Sequence, residues 1–425
     1  MLTRTFAKKT KNTISLSNII IGALFAFTVL SGIVPQTIVS LGVVACMCVL
    51  LLYNKLYLAF PFVIFYNSVY GLVFGMSVLR IYTLLVIFSI VIKPISKTKI
   101  KSRLILPLAV YVFFLIVVMF PISLRSGFFL LFDIICCLII VSHLSNDSFM
   151  LRNFFKIYVL VCFCSFLTGI ITNNTLGGDQ QYTYIRFNAT FEDPNYMGFF
   201  FTVAIFSIIS LKLFSKKIRC LAVIALYVML FASLSITAIV ANLLLWVFYL
   251  LVMKKLKPIG FITIIVIFAG IVALYIWGLR NPNVPVLGDL VARIDEKLVS
   301  LSVGDMSDVT TGRTTLAKQN FEFYLSQSIL TIIFGGISVN CRHVHPALSQ
   351  VSHNEFVDLL LNVGIVGAVI MVGFFLVSYF SYVKKYYRSK ESHDLCIVMI
   401  KTIWLLYAVA LTTFLDFKFM LMFLL

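Results

Sequence analysis

The stretch Ser352-His353-Asn354-Glu355-Phe356-Val357-Asp358-Leu359-Leu360, continuing through Leu361-Asn362-Val363-Gly364-Ile365-Val366-Gly367, is where a long polar interval ends and a hydrophobic helix begins. The interval before it, residues 279–352, is the only long polar one in the chain. It carries Arg280, Arg293, Arg313 and Arg342, and with His353 at its end it accounts for three of the five histidines. Outward in both directions the sequence turns apolar. The 425 residues are 61% hydrophobic, 15% aromatic and only 12% charged, far from the balance of a soluble domain. Apolar runs of about 20 residues recur, each long enough to cross a hydrocarbon layer about 30 Å thick. The predicted class is an all-α, polytopic integral membrane protein with roughly 12–14 transmembrane helices and one large late outer loop.

The net charge of +18 does not point to nucleic acid. Basic residues gather in short loops between apolar runs: Arg4 to Lys11, Lys93 to Arg103, Lys212 to Arg219, Lys254 to Lys257 and Lys384 to Lys390. These loops alternate with the helices and fall on one side. That imbalance sets topology, with the N-terminus and the basic loops cytoplasmic. No small-residue cleavage site follows the first apolar run, which reads as a retained helix. Eight of the nine cysteines lie in apolar runs, where they act as small hydrophobes, and only Cys341 is in an outer loop.

Three regions follow. Residues 1–278 form a transmembrane scaffold with a short outer loop near 172–194. Residues 279–352 form the large outer loop, with an amphipathic helix on Leu287, Leu290, Val291, Ile294, Leu298 and Leu301 and a second helix from Thr314 to Ile333. Residues 353–425 return to the membrane. Within the scaffold the pattern predicts spans at Ile14–Val34, Thr37–Leu52, Leu56–Gly75, Met76–Ile92, Leu104–Ile122, Phe128–Ser142 and Phe154–Ile171. A helix starts at Asp193-Pro194-Asn195, and a hairpin covers Cys220–Ser233 and Ile236–Met253.

His353 falls at a helix N-terminus, where the positive end of the dipole favours the neutral imidazole that a general base needs. A purely capping histidine fits the same position. The outer arginines Arg186, Arg280, Arg293, Arg313 and Arg342 can bind phosphate oxygens in bidentate fashion, or serve as scattered surface charge. Arg80, near the outer end of its helix, either faces a cavity or snorkels to the interface. Cys341, His343, His345 and His353 make at best a loose metal set, and no acidic metal-binding pair, glycine-rich phosphate loop or nucleophile elbow is present.

Three groups of residues resemble the bacterial O-antigen polymerase and O-antigen ligase family. They are Arg186 with Asp193-Pro194-Asn195-Tyr196-Met197-Gly198; Thr311-Gly312-Arg313-Thr314 with Phe334-Gly335-Gly336; and His353-Asn354-Glu355-Phe356 with Asn362-Val363-Gly364-Ile365-Val366-Gly367. Their order and outer placement also resemble that family over about residues 180–380. The resemblance implies a GT-C-like membrane glycosyltransferase, inverting and independent of metal and cofactor. Its donor and acceptor would be undecaprenyl-diphosphate-linked oligosaccharides at the periplasmic face of a bacterial inner membrane. By position, His353 would deprotonate the acceptor, and Arg186 and Arg313 would hold the diphosphate. Asn195, Asn354 and Glu355 would complete the substrate-binding set. The family's arginine at the bend Leu234-Ser235-Ile236-Thr237-Ala238 is missing here, leaving Arg80 or Arg342 as substitutes. Phe321 or Phe323 stands where a tryptophan is usual. The missing arginine favours a polymerase, with a chain-length regulator as partner, over a ligase acting on lipid A core. A transporter of lipid-linked oligosaccharide is the alternative from another class, although such proteins gather functional groups in broken helices at mid-membrane.

Overall fold

The computed structural model describes residues 16–67, 69–92, 105–145, 147–176, 186–253, 273, 275–281, 284, 287–304, 312–338, 345–411 and 416–425. Within them the chain is mostly helical, and only two short antiparallel hairpins interrupt the helices. Three helices are long and apolar enough to cross a membrane: Leu124–Ser142, Ser148–Ile171 and Glu355–Ser389. A further span, which the apolar run Ile259–Gly278 predicts, falls largely outside the described residues, and Arg342, His343 and Cys341 fall outside them as well.

The first half runs α1 (Leu16–Leu30), α2 (Gln36–Leu52), α3 (Phe60–Phe65), α4 (Val78–Ile92), α5 (Ile105–Phe114, continued by a wider turn to Met119), α6 (Leu124–Leu144) and α7 (Ser148–Ile171). One expectation fails here. The apolar run Leu56–Gly75 is not a continuous helix. It stops at Phe65 and turns into a hairpin, β1 (Leu72–Val73) paired with β2 (Met76–Ser77). The two linking residues, Phe74 and Gly75, have φ of 51° and 75°, the geometry of the tight turn that matches strand twist. Tertiary contacts anchor the end of α3: Tyr66 is fully buried, stacks on Tyr70 and shares a 3.1 Å hydroxyl contact with Thr168 of α7.

After β3 (Thr175–Leu176) and β4 (Arg186–Phe187) comes α8 (Pro194–Ser210), the centre of the molecule. Every α8 residue except Tyr196 and Ile209 is buried, because α7, α9 (Lys216–Ala232), α10 (Ile236–Val252) and α15 (Ser392–Ala408) enclose it. A helix apolar on all faces suits such an enclosed position. Gly198 permits the close approach of α10, since a Cβ there would lie 2.7 Å from the Ala238 methyl.

In the polar interval, α11 (Leu287–Ser302) matches the amphipathic expectation. The expected helix Thr314–Ile333 is two helices, α12 (Arg313–Leu325) and α13 (Ile329–Phe334), divided where the Ser328 hydroxyl accepts the Thr331 amide and starts a new helix. α14 (Glu355–Ser389) follows, then α15 and the short α16 (Phe417–Leu424). The apolar end is buried against the core: Phe419 meets Tyr196, Phe199 and Phe200 edge-on or stacked. The fully buried Lys401 of α15 donates to the Phe423 carbonyl at 3.1 Å. Sequence reasoning passed over Lys401, though an ionisable residue inside an apolar run is itself a signal.

Candidate active site

The site begins with three helix starts. Asp193 has extended backbone (φ −133°, ψ 133°), its carboxylate accepts the Asn195 amide at 2.6 Å, and Pro194 takes the first helical position. The same carboxylate oxygen accepts the Asn195 side-chain amide at 2.7 Å. Asn195 Oδ1 in turn accepts the Ser235 hydroxyl at 2.8 Å, and Ser235 caps α10 by accepting the Ala238 amide. Asn195, expected as a ligand for substrate, is thus buried as the tie between the starts of α8 and α10.

Arg186 lies against the same corner. It is buried, and its Nε donates to the Ser233 carbonyl at 3.3 Å, where a cation meets the negative end of α9. An arginine from β4 is therefore in contact with the turn between α9 and α10.

The third start belongs to α14. Asn354 caps it, accepting the amides of Phe356 and Val357 at 3.1 and 3.3 Å. Ser352 donates to the Asn354 carbonyl and accepts the Asn354 amide, while the buried Asp358 accepts the Ser352 amide. These contacts bracket His353 and hold it at φ 52°, left-handed backbone that costs a non-glycine residue about 1–2 kcal/mol. Among the described residues no partner hydrogen-bonds the imidazole. His353 is half-buried. Burial pushes its pKa down from the ordinary histidine value; the Arg313 charge lowers it further and Asp193 partly opposes this. Both groups are thus within electrostatic reach of the ring.

Arg313 opens α12 directly after Gly312, whose φ of 76° is the left-handed conformation that glycine adopts freely. One guanidinium nitrogen donates to the Ala410 carbonyl at 2.9 Å, just past the end of α15. Among the described residues Arg313 has no carboxylate partner within ion-pair distance.

Arg313 and Asp193 thus both lie within electrostatic reach of His353, and the contacts Asp193–Asn195–Ser235 and Arg186–Ser233 link Asp193 to the bend that Arg186 touches. Other expected residues fall elsewhere. Arg80 is buried in an ion pair with Asp133 of α6 at 2.6 Å, donates to the Phe129 carbonyl and covers the Phe129 ring. Glu355 is fully buried and faces α5, within electrostatic reach of Tyr111. His345 lies on the polar segment, its Nδ1 accepting the Ala347 amide and its ring 5.5 Å from Phe323.

The glycine pairs have a structural role that the sequence did not disclose. α14 is broken at Gly364 (φ 64°, ψ −175°). The carbonyls of Leu361 and Asn362, deprived of their helical partners by the break, accept the amides of Ile337 and Gly336 at 3.1 and 3.2 Å. Gly335 lies so close that a Cβ on it would be 2.5 Å from the Asn362 oxygen and the Gly364 nitrogen. The half-helix Glu355–Val363 is therefore fixed at both ends, by the Ser352–Asn354–Asp358 contacts at its start and by the Gly335–Ile337 backbone at its finish.

Sequence reasoning left Asp193, Ser235, Ser352 and Asp358 out of the site. Asp193 was legible as a cap, but its nearness to His353 is a long-range fact with no local signal. Compared with known proteins, the chain matches no family model, no curated protein and no solved structure.

Proposed function

We propose that this chain is a membrane-embedded glycosyltransferase that joins undecaprenyl-diphosphate-linked oligosaccharide units into a surface polysaccharide, with its reacting groups on the periplasmic side of a bacterial inner membrane. The observation that carries the reading is a half-buried His353 at the start of α14 with Arg313 and Asp193, from two other stretches of sequence, within electrostatic reach of its ring. His353 takes the proton of the acceptor hydroxyl. The freed oxygen attacks the anomeric carbon of the donor from the face opposite the diphosphate, the carbon–oxygen bond to the diphosphate breaks, and the sugar inverts. Charge accumulates on the leaving diphosphate as it departs. Arg313, with Arg186 behind the α9–α10 bend, stabilises that charge more than the ground state, which is how fixed cations accelerate a reaction. A depressed imidazole pKa suits the base, since His353 is then neutral at pH 7.

The test is polymer formation by the purified full chain on lipid-linked repeat units, with and without EDTA. His353→Ala is expected to stop polymer while the protein stays folded, chelation to do nothing, and His345→Ala to leave most activity. Polymer that depends on added metal, or survives in His353→Ala, overturns the reading.

One observation favours the transporter. α14 is a broken helix, the device by which transporters build sites in mid-membrane. In the same preparation that reading requires lipid-linked substrate to cross a vesicle bilayer without being polymerised. The break weighs less than it first does, because the carbonyls it exposes are already occupied by Gly336 and Ile337.

A further inference from the structure

At the end of α14 remote from His353, the helix surface forms a groove of about 510 Å³ lined by Ser381, Lys384, Lys385, Arg388 and Ser389. Two of these are already engaged. Lys385 pairs with the buried Asp394 at 2.7 Å, and the Ser389 hydroxyl donates to the other oxygen of that carboxylate at 2.9 Å. Lys384 and Arg388 are exposed, and among the described residues neither has an ion-pair partner, the nearby Glu391 included.

At 3.6 residues per turn, Val369, Gly373, Val377, Phe380, Lys384 and Arg388 fall within a wedge of about 100° on one face of α14. The apolar members of this stripe are open: Val369 is 65% exposed, Val377 68% and Phe380 61%, and a Cβ on Gly373 would meet nothing within 4 Å. From Val369 to Phe380 the helix rises about 16 Å, roughly one leaflet of a hydrocarbon core about 30 Å thick. Just beyond Phe380 come the groove and Tyr387, with Lys390 over the Tyr387 ring at 4.6 Å. An aromatic at this level is the mark of a membrane–water boundary.

We propose that this stripe seats one anionic glycerophospholipid, its acyl chain along Val369, Gly373, Val377 and Phe380 and its headgroup phosphate between Lys384 and Arg388. The leaflet-deep apolar face ending in two cations without acidic partners selects such a lipid over a zwitterionic one. The seat is independent of the glycosyl-transfer reading, because it involves none of the residues around His353.

Native mass spectrometry of the full chain, purified in detergent and supplied with phosphatidylglycerol or phosphatidylcholine, tests this. Wild type is expected to retain phosphatidylglycerol in preference to phosphatidylcholine. Each of Lys384→Ala and Arg388→Ala should weaken retention about fivefold, and the pair about 25-fold. Lys216→Ala with Lys217→Ala, which removes two exposed cations at the start of α9, should change little, and an unchanged melting temperature in each variant shows that folding is intact. Equal retention of phosphatidylcholine, an equal loss in the α9 control, or no loss in the α14 pair overturns the proposal. So does retention of undecaprenyl phosphate with no retention of phosphatidylglycerol.

Discussion

Two arginine environments in this molecule, one buried and one half-buried, behave in opposite ways. Arg80 is closed: between α4 and α6 it meets a carboxylate at 2.6 Å, a carbonyl and an aromatic face. Arg313 is open: it spends one nitrogen on the Ala410 carbonyl and lies within electrostatic reach of His353, with no ion-pair partner among the described residues. A buried charge that is fully paired holds helices together, and breaking the pair leaves an uncompensated ion. A partly buried cation beside a polarisable base, held by a helix start and one carbonyl, has capacity left for a ligand.

The sharpest way to break this comparison is to remove one group from each side. His353→Ala should cost about 10²–10⁴-fold in the rate of polymer formation, the range for loss of a general base, with melting little changed, because alanine keeps the left-handed strain at this position. Asp133→Ala should instead cost about 3–5 kcal/mol of stability by stranding Arg80, read as a fall in melting temperature and membrane yield. If Asp133→Ala were well folded but inactive, Arg80 would belong to the site.

Arg313→Ala comes next. It should lower turnover by the equivalent of about 2–5 kcal/mol if the guanidinium contacts a desolvated diphosphate, with partial recovery in Arg313→Lys, which lacks the planar fork. Full activity in Arg313→Ala would make the open environment a mere surface feature. Gly364→Ala should lose about 1–3 kcal/mol of stability, since its Cβ would meet the backbone of Ile333 and Gly335 and its φ is positive. Gly373→Ala, on the open face of the same helix, should be neutral or stabilising.

The smallest expected effect is on the pH profile. A base whose pKa lies below the ordinary histidine value stays neutral to lower pH, so the acid limb of kcat/KM should fall below pH 6.5. Arg313→Lys keeps a cation there and should barely move that limb. Asp193→Asn removes the group that raises the His353 pKa and should carry the limb further down. A limb that rises in Asp193→Asn would show that Asp193 acts on His353 through geometry and not through charge.

How much of this was legible depended on range. Helix starts were readable because caps are local: Asp193 and Ser235 satisfy amides two or three residues away, and α8, α10 and α14 begin within two residues of the expected starts, although the cap of α14 is Asn354 and not His353. The amphipathic helix at Leu287–Ser302 was readable from its period. The run Leu56–Gly75 was misread because hydropathy is blind to chain direction within an apolar stretch, and only Gly75 hinted at the turn. Gly364 was visible as part of a motif, but a glycine in an apolar helix is common, so the break was not.

The sequence by itself determined that this chain is apolar and helical, that its polar groups collect in one late interval, and where most helices start, because those properties follow from side-chain transfer energies and from hydrogen bonds between near neighbours. Only the tertiary structure decided which charges meet. Asp193, Arg313 and His353 are 120 and 40 residues apart along the chain, Arg80 and Asp133 lie on different helices, and the amides that close the α14 break come from the loop after α13. Such contacts form when enclosed helices such as α8 fix the positions of their neighbours, and no pattern confined to a few turns of chain encodes them.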